Sequence, residues 1–353
     1  MITILQQWYK RYFTNPQTVI FAFILIVGGL LIFVMNAHLM PILIGIVIAY
    51  LNEGLVQWMA RLSLNRTIAA SVVTAMILAV IVIVFFVLFP LLSKQVSELF
   101  REMPLMLHQG QQLLSQLPKE YPDYVSHQQI EEILTLLRTE LTSVGQRVVS
   151  LSLSSVVGII TFFVYLILLP LMVFFFLKDK EIIISWLADF LPQERRLLHQ
   201  VWEDLDIKIA SYIRGKVIEV LIVWSASYVA FSVMEMNYAM LLSFLVGLSV
   251  IIPYVGATVV TIPVALIAFF QWGFTTEFGY LMAIYAFIQF LDGNLLVPLL
   301  FSEVVNLHPI AIIVAVVFFG SLWGVWGVFF AIPLATLIQA VIKAWPDPEL
   351  LAE

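Results

Sequence analysis

The sequence predicts an all-α, polytopic integral membrane protein of about eight transmembrane helices, some discontinuous, with a helical insert outside the membrane. Three observations predict it. Hydrophobic residues make up 62% of the 353 and charged residues only 11%. A soluble domain carries about 25% charged and about 45–50% apolar residues, so this chain lacks the polar surface to cover itself in water. Four long uncharged runs, one of them shorter than the rest, stand out against the roughly 20 residues that cross about 30 Å of hydrocarbon. After Val217, proline, glycine and isolated acids interrupt the apolar sequence, which predicts broken helices. The composition is too apolar for disorder. The absence of cysteine excludes a disulfide scaffold and thiolate metal sites. A net charge of −6 gives no electrostatic case for nucleic acid.

Residues 1–92 form an N-terminal membrane region of three spans. Lys10 and Arg11 flank the first run, Thr18 to Met35, and Trp8, Tyr9, Tyr12 and Phe13 read as an interfacial anchor. No small-residue cleavage site follows, so the run is read as a retained signal-anchor rather than a signal peptide. Asn36-Ala37-His38 interrupts the pattern before a second run, Leu39 to Leu51, and the pair reads as a tight helical hairpin. Thr67 to Leu92 is the third run.

Residues 93–150 form the extracytoplasmic insert, divided by Pro104, Pro118 and Pro122. Its second half carries Ile130, Leu134, Leu137, Leu141, Val144 and Val148 at alternating spacings of 4 and 3, a coiled-coil-like stripe. That stripe packs on the insert's own first helix or joins copies of the protein; the same burial serves both. Residues 151–177 are the fourth span. Residues 178–216 read as cytoplasmic amphipathic helices separated by Pro192. Asp179 stands at a capping position, and Leu198, Val201, Leu205, Ile209 and Tyr212 line one face. Residues 217–353 form a C-terminal membrane region with broken helices.

Orientation follows from basic residues. Lys10 and Arg11, Arg61 and Arg66, and the cluster from Lys178 to Lys216 all fall on one side when the N-terminus is cytoplasmic. Residues 93–150 then lie outside, with five basic against seven acidic residues. Lys343 suggests a cytoplasmic C-terminus.

The chain contains no phosphate-binding loop, HExxH helix or GxSxG elbow. Its five histidines are scattered. Neither an enzyme, a metal site nor a cofactor is expected. The chemistry that is present lies after Val217, where the only charged residues before Lys343 are Glu219, Glu235, Glu277, Asp292 and Glu303. A carboxylate at the bilayer centre costs roughly 2.5–3.5 kcal/mol, so such groups are paired, protonated or hydrated. Glu235, Glu277 and Glu303 sit near loops and read as solvated. Glu219 lies near Lys216 and reads as an interfacial ion pair or a transport residue. Asp292 lies deepest, as a pathway or coupling acid or as a helix cap at an internal break. Asp292-Gly293-Asn294 followed by Pro298 marks one break, and Pro253 with Gly256 marks a second. Transporters place their sites at such discontinuities. His308 is a weaker pathway candidate. Gly320, Gly324 and Gly327 form a close-packing pattern.

At these residues the sequence resembles the autoinducer-2 exporter family, within it the permeases of gamma-proteobacteria. The matching segments run nearly end to end: Ala49-Tyr50-Leu51 with Glu53, Val173 to Asp179, Tyr212 to Lys216, Ile252 to Gly256, Asp292 to Pro298, Leu307-His308-Pro309, Gly324 to Gly327 and Ala331-Ile332-Pro333. The resemblance implies a multi-pass inner-membrane homo-oligomer with an extracytoplasmic insert, and a secondary transporter of a small polar solute. Some members resemble sodium or lithium/proton antiporters. Lipid, and a small solute or a monovalent cation or proton, are the expected partners. The competing expectations are solute export, cation/proton antiport, and a non-transporting scaffold acting through the outer insert.

Overall fold

The computed structural model describes residues 36–114, 155–190, 196–253, 255–301 and 307–344, with isolated positions at 29, 128, 132, 135 and 139. Every secondary-structure element among them is helical. The expected first span lies outside the described residues, as does the insert's apolar stripe; Gln128, Glu132, Thr135 and Thr139, which lie off that stripe, are helical and exposed.

Helix α1, Asn36–Arg61, is continuous. Asn36-Ala37-His38 is therefore helical rather than a gap, and the second run extends ten residues past Leu51. Ser63, with φ of 66°, reverses the chain, and Asn65 accepts from the Thr67 amide at the start of α2, Arg66–Ile83. A π-helical turn, Val84–Leu88, joins α2 to α3, Phe89–Leu114. The resulting rod of 49 residues is about 70 Å long, far more than the hydrocarbon requires. Pro104 lies inside α3 and does not divide the insert there. Proline leaves one carbonyl unpaired four residues back, and on this charged part of the rod water can satisfy it.

Helix α4, Ser155–Lys178, packs with α1 and α2 around Ala49, Val56, Ala69, Val73, Val173 and Leu177. The small alanines let α1 and α2 approach. Glu53 is buried there and pairs with Arg66 at 3.1 Å and Lys180 at 3.5 Å. Arg66 also donates to the Leu177 carbonyl at 2.8 Å, filling an orphan acceptor at the α4 C-terminus. Replacing Arg66 with methionine strips both and is expected to cost about 2 kcal/mol, allowing for its partial exposure. Thermal unfolding in micelles reads this, and an unshifted transition would show that the clamp contributes nothing.

Helix α5, Lys180–Asp189, follows. Asp179 stands before it without a capping hydrogen bond, contrary to the expected cap, because its carboxylate meets Lys178 at 3.5 Å instead. Helix α6, Arg196–Val233, runs unbroken from the amphipathic segment into the apolar one. The Tyr50 hydroxyl donates to Asp206, tying α1 to α6.

The remainder is built from two helical hairpins. In the first, α7, Ala239–Ser249, and α8, Val255–Trp272, lie antiparallel. At the open end the Gln271 side chain accepts from the Asn237 amide and donates to the Glu235 carbonyl. At the tip, a Cβ on Gly256 would fall 1.7 Å from the Ser249 carbonyl oxygen. The intervening turn around Pro253 keeps its amides bonded, Ile252 to Ser249 and Gly256 to Ile252. With 11 residues, α7 reaches about 16 Å and cannot cross the membrane. Gln95 of α3 accepts from the free Leu241 amide, so the rod caps α7.

Helix α9, Thr276–Leu291, returns antiparallel to α6: Phe231 meets Tyr285 near one end, and Tyr212 meets Phe301 near the other. A π-helical turn, Asp292–Leu296, leads into α10, Val297–Phe301. The second hairpin is α11, Pro309–Ala344, which folds back at Gly324 (φ 59°, ψ −137°). A Cβ on Gly327 would stand 1.8 Å from the Phe319 carbonyl oxygen, a contact impossible along a straight helix. Ala315 and Phe319 pack on Ala331 across the fold. The arm before Gly324 has 15 residues, about 22 Å. The apolar run is therefore a helical hairpin folded at Gly324, and the glycines close its own two arms.

The hairpins enter from opposite ends of the α6–α9 pair. Each follows one long helix, so residues 196–272 and 276–344 repeat one plan in inverted orientation. Pro253 lies 34 residues after Glu219, and Gly324 lies 32 after Asp292.

Candidate functional site: a buried ion pair and a free carboxylate

A cavity of about 320 Å³ lies where the two repeats meet. Helix α6 contributes Tyr212, Lys216 and Glu219, spaced at three and four so that they share one face. The tip of the first hairpin supplies Val250, Ile252 and Pro253. Gln289, Asp292 and Gly293 come from α9 and its π turn, and Ile312 and Ile332 from the two arms of the second hairpin.

Lys216 and Glu219 are 4% and 2% exposed, and Nζ stands 2.5 Å from Oε2. The ammonium also donates to the Val250 carbonyl at 3.0 Å and lies 5.0 Å from the centre of the Phe301 ring. Gly215 permits the last contact, since a Cβ there would fall 2.8 Å from Phe301 Cε1. Val250 follows α7, so Lys216 holds the negative end of that helix dipole.

Asp292 is 9% exposed, and its Oδ1 has no hydrogen-bond partner among the described residues. It lies within electrostatic range of Lys216 and Glu219. One ammonium thus faces two carboxylates. The buried Tyr212 hydroxyl is also unpartnered among the described residues. Gln289 donates to the Tyr285 hydroxyl, which pairs with Thr261 at 2.9 Å, linking the cavity to α8.

Of the residues singled out in the sequence, the fold brings Asp292, Glu219 and Pro253 together. Lys216 and Glu219 form the ion pair their spacing announced, buried inside the protein, so that Lys216 is the base beside the C-terminal acids. One expectation changes. Asp292 caps no helix N-terminus: the break expected at Asp292-Gly293-Asn294 is a π turn inside a continuous helix. The missing amide and ring of Pro298 conflict with the carbonyl four residues back, at Asn294, and widening the turn relieves this. Such turns recur at functional sites. Asn294 is exposed and donates to the Phe290 carbonyl, outside the cavity lining. Pro298 is likewise exposed, and Gly256 acts through the hairpin contact. His308 is exposed and accepts from the Ile310 amide at the start of α11. Tyr212 was legible only as one of an apolar stripe; its four-residue spacing from Lys216 is the signal that pairs them.

Two helical hairpins, each following one long helix and each lining a single cavity that holds a buried ion pair and a buried carboxylate, fit a polytopic helical transporter. A family model described as "AI-2E family transporter" matches residues 20–347, and the chain belongs to that family. Over all 353 residues it is 46% identical to the Escherichia coli (strain K12) protein named "Putative permease PerM", with both chains fully covered. It is 27% identical to "Putative transport protein YueF" of Bacillus subtilis (strain 168), over 86% of this chain and 82% of that one. A Methanocaldococcus jannaschii relative, "Putative transport protein MJ1177", is 27% identical over 43% of this chain and 47% of its own.

Proposed function

We propose that the chain is a gradient-coupled secondary transporter of a small polar solute, with the cavity between the hairpins as its site and Asp292 as its coupling acid. The observation that carries this reading is the charge count: one ammonium against two carboxylates, with Oδ1 of Asp292 bare. An unpaired carboxylate in this setting is costly, and a proton or monovalent cation removes the excess charge. Lys216, Tyr212 and Gln289 supply donors suited to a hydroxyl-bearing solute, and Gly293 leaves open space beside Asp292. Export of autoinducer-2 is the substrate reading that the family name supports. Antiport of sodium or lithium against protons is the second, favoured by the bare Asp292 oxygen as a hard donor outside the contacts of Lys216. The asymmetry of Lys and Arg supports cytoplasmic termini in a bacterial inner membrane. Self-association through the outer insert belongs to the same proposal.

The test is flux in proteoliposomes, following labelled autoinducer-2 and an internal pH dye under an imposed proton gradient. Wild type is expected to move solute and collapse the gradient, and Asp292→Asn to reduce gradient-driven flux at least about 100-fold, the loss of about 2.7 kcal/mol. Full gradient-driven flux in Asp292→Asn would remove the coupling role. Proton movement only on adding sodium or lithium would select antiport.

A further inference from the structure

We propose that the Lys216 ammonium is a tethered cation occupying the position a monovalent metal ion would take, so that wild type binds no sodium or lithium there and Asp292 is left to exchange a proton. The inference rests on the transport reading of the cavity and names its ion selectivity.

Four features that attract cations converge on one point: the Glu219 carboxylate at 2.5 Å, the Val250 carbonyl at 3.0 Å, the Phe301 ring at 5.0 Å and the negative end of α7. Discontinuous helices in transporters use such exposed carbonyls to coordinate sodium or protons. Here the carbonyl at the hairpin tip is already taken by a side chain from α6. The ammonium is held by its own chain, so no dissolved ion competes with it at ordinary concentration. The occupied ligands also come from three separate elements: α6, the first hairpin and α10. Lys216 therefore bolts the hairpin tip to the long helices, and only a change in the charge around it loosens that bolt. The other groups facing the cavity limit what can supply that change. Tyr212, Glu219 and Asp292 are the remaining titratable ones, while the second hairpin presents Ile312 and Ile332. Asp292 has the free oxygen.

The test is thermal stability of the purified full chain in detergent, in sodium or lithium chloride against equal choline chloride. Wild type and Lys216→Arg are expected to show no difference between salts. Lys216→Gln, purified in sodium, is expected to show a saturable rise of about 5 °C in sodium or lithium at a hundredfold excess over Kd. Adding Glu219→Gln should abolish the rise. A saturable sodium or lithium shift in wild type overturns the proposal. So does a Lys216→Gln protein that is folded yet indifferent to salt, or one lost from the membrane even with sodium present. Because the readout is binding rather than flux, these results can fail while the transport assay succeeds.

Discussion

Glu219→Ala is expected to destabilise the protein by about 3–5 kcal/mol, although it removes a single side chain. The carboxylate is 2% exposed and its partner 4%. Truncation removes the anion in contact with the ammonium: the Val250 carbonyl stays as its close acceptor, and Asp292 faces it across a cavity walled by Ile252, Ile312 and Ile332. The pair's net contribution is a separate quantity, because burying both ions already cost much of their attraction. The double variant Lys216→Met with Glu219→Leu separates the two. It is expected to fall within about 1 kcal/mol of wild type, or above it, since apolar residues of similar volume often replace a buried pair without loss. Transport should be absent in both. Denaturant unfolding of the micellar protein supplies the three comparisons of the cycle. A single variant as stable as wild type would mean that water reaches Lys216 and that the site is not dry.

This asymmetry bears on how far the site was legible. The i,i+3 spacing of Lys216 and Glu219 is plain in the sequence, but its depth is not. Basic residues end at Lys216, which invited a membrane boundary there; α6 instead carries on without a break, and the first hairpin tip, packed on Lys216 through Val250, buries the pair. Pro253 announced a turn, and a turn is present. Asp292-Gly293-Asn294 with Pro298 announced a break, yet helices can absorb a proline by widening one turn, and local sequence does not distinguish the two outcomes. The apolar runs and their interruptions made the helical membrane class evident from composition alone. What they could not reveal was the direction of α8 and of the second arm of α11. A 36-residue apolar stretch is compatible with a tilted span or a hairpin, and the difference rests on contacts eight residues apart, between Phe319 and Gly327.

Those contacts make the glycines of α11 the second large effect. Gly327→Ala is expected to cost more than about 3 kcal/mol and to leave little monodisperse protein after solubilisation. Its Cβ would enter the Phe319 carbonyl oxygen at 1.8 Å and the attached carbon at 2.5 Å. Both belong to backbone, so no rotamer change relieves the overlap and the arms must separate. Ala315, Phe319 and Ala331 would then lose their mutual packing. Gly324→Ala acts differently. Space around that position is open, but φ of 59° with ψ of −137° is a conformation essentially restricted to glycine, and the strain is expected to cost about 1–3 kcal/mol. Gly320→Ala should be mildest, since its Cβ meets only the Val328 Cγ2 methyl at 2.9 Å, the end of a side chain that can shift. The order Gly327, Gly324, Gly320 is the signature of a hairpin closed on itself. In a straight 36-residue helix packed against a neighbour, all three glycines would face one partner and Gly324 would carry no special backbone cost. Fluorescence-detected size exclusion across the three variants reads the order directly, and a Gly327→Ala protein as well behaved as wild type would open the hairpin.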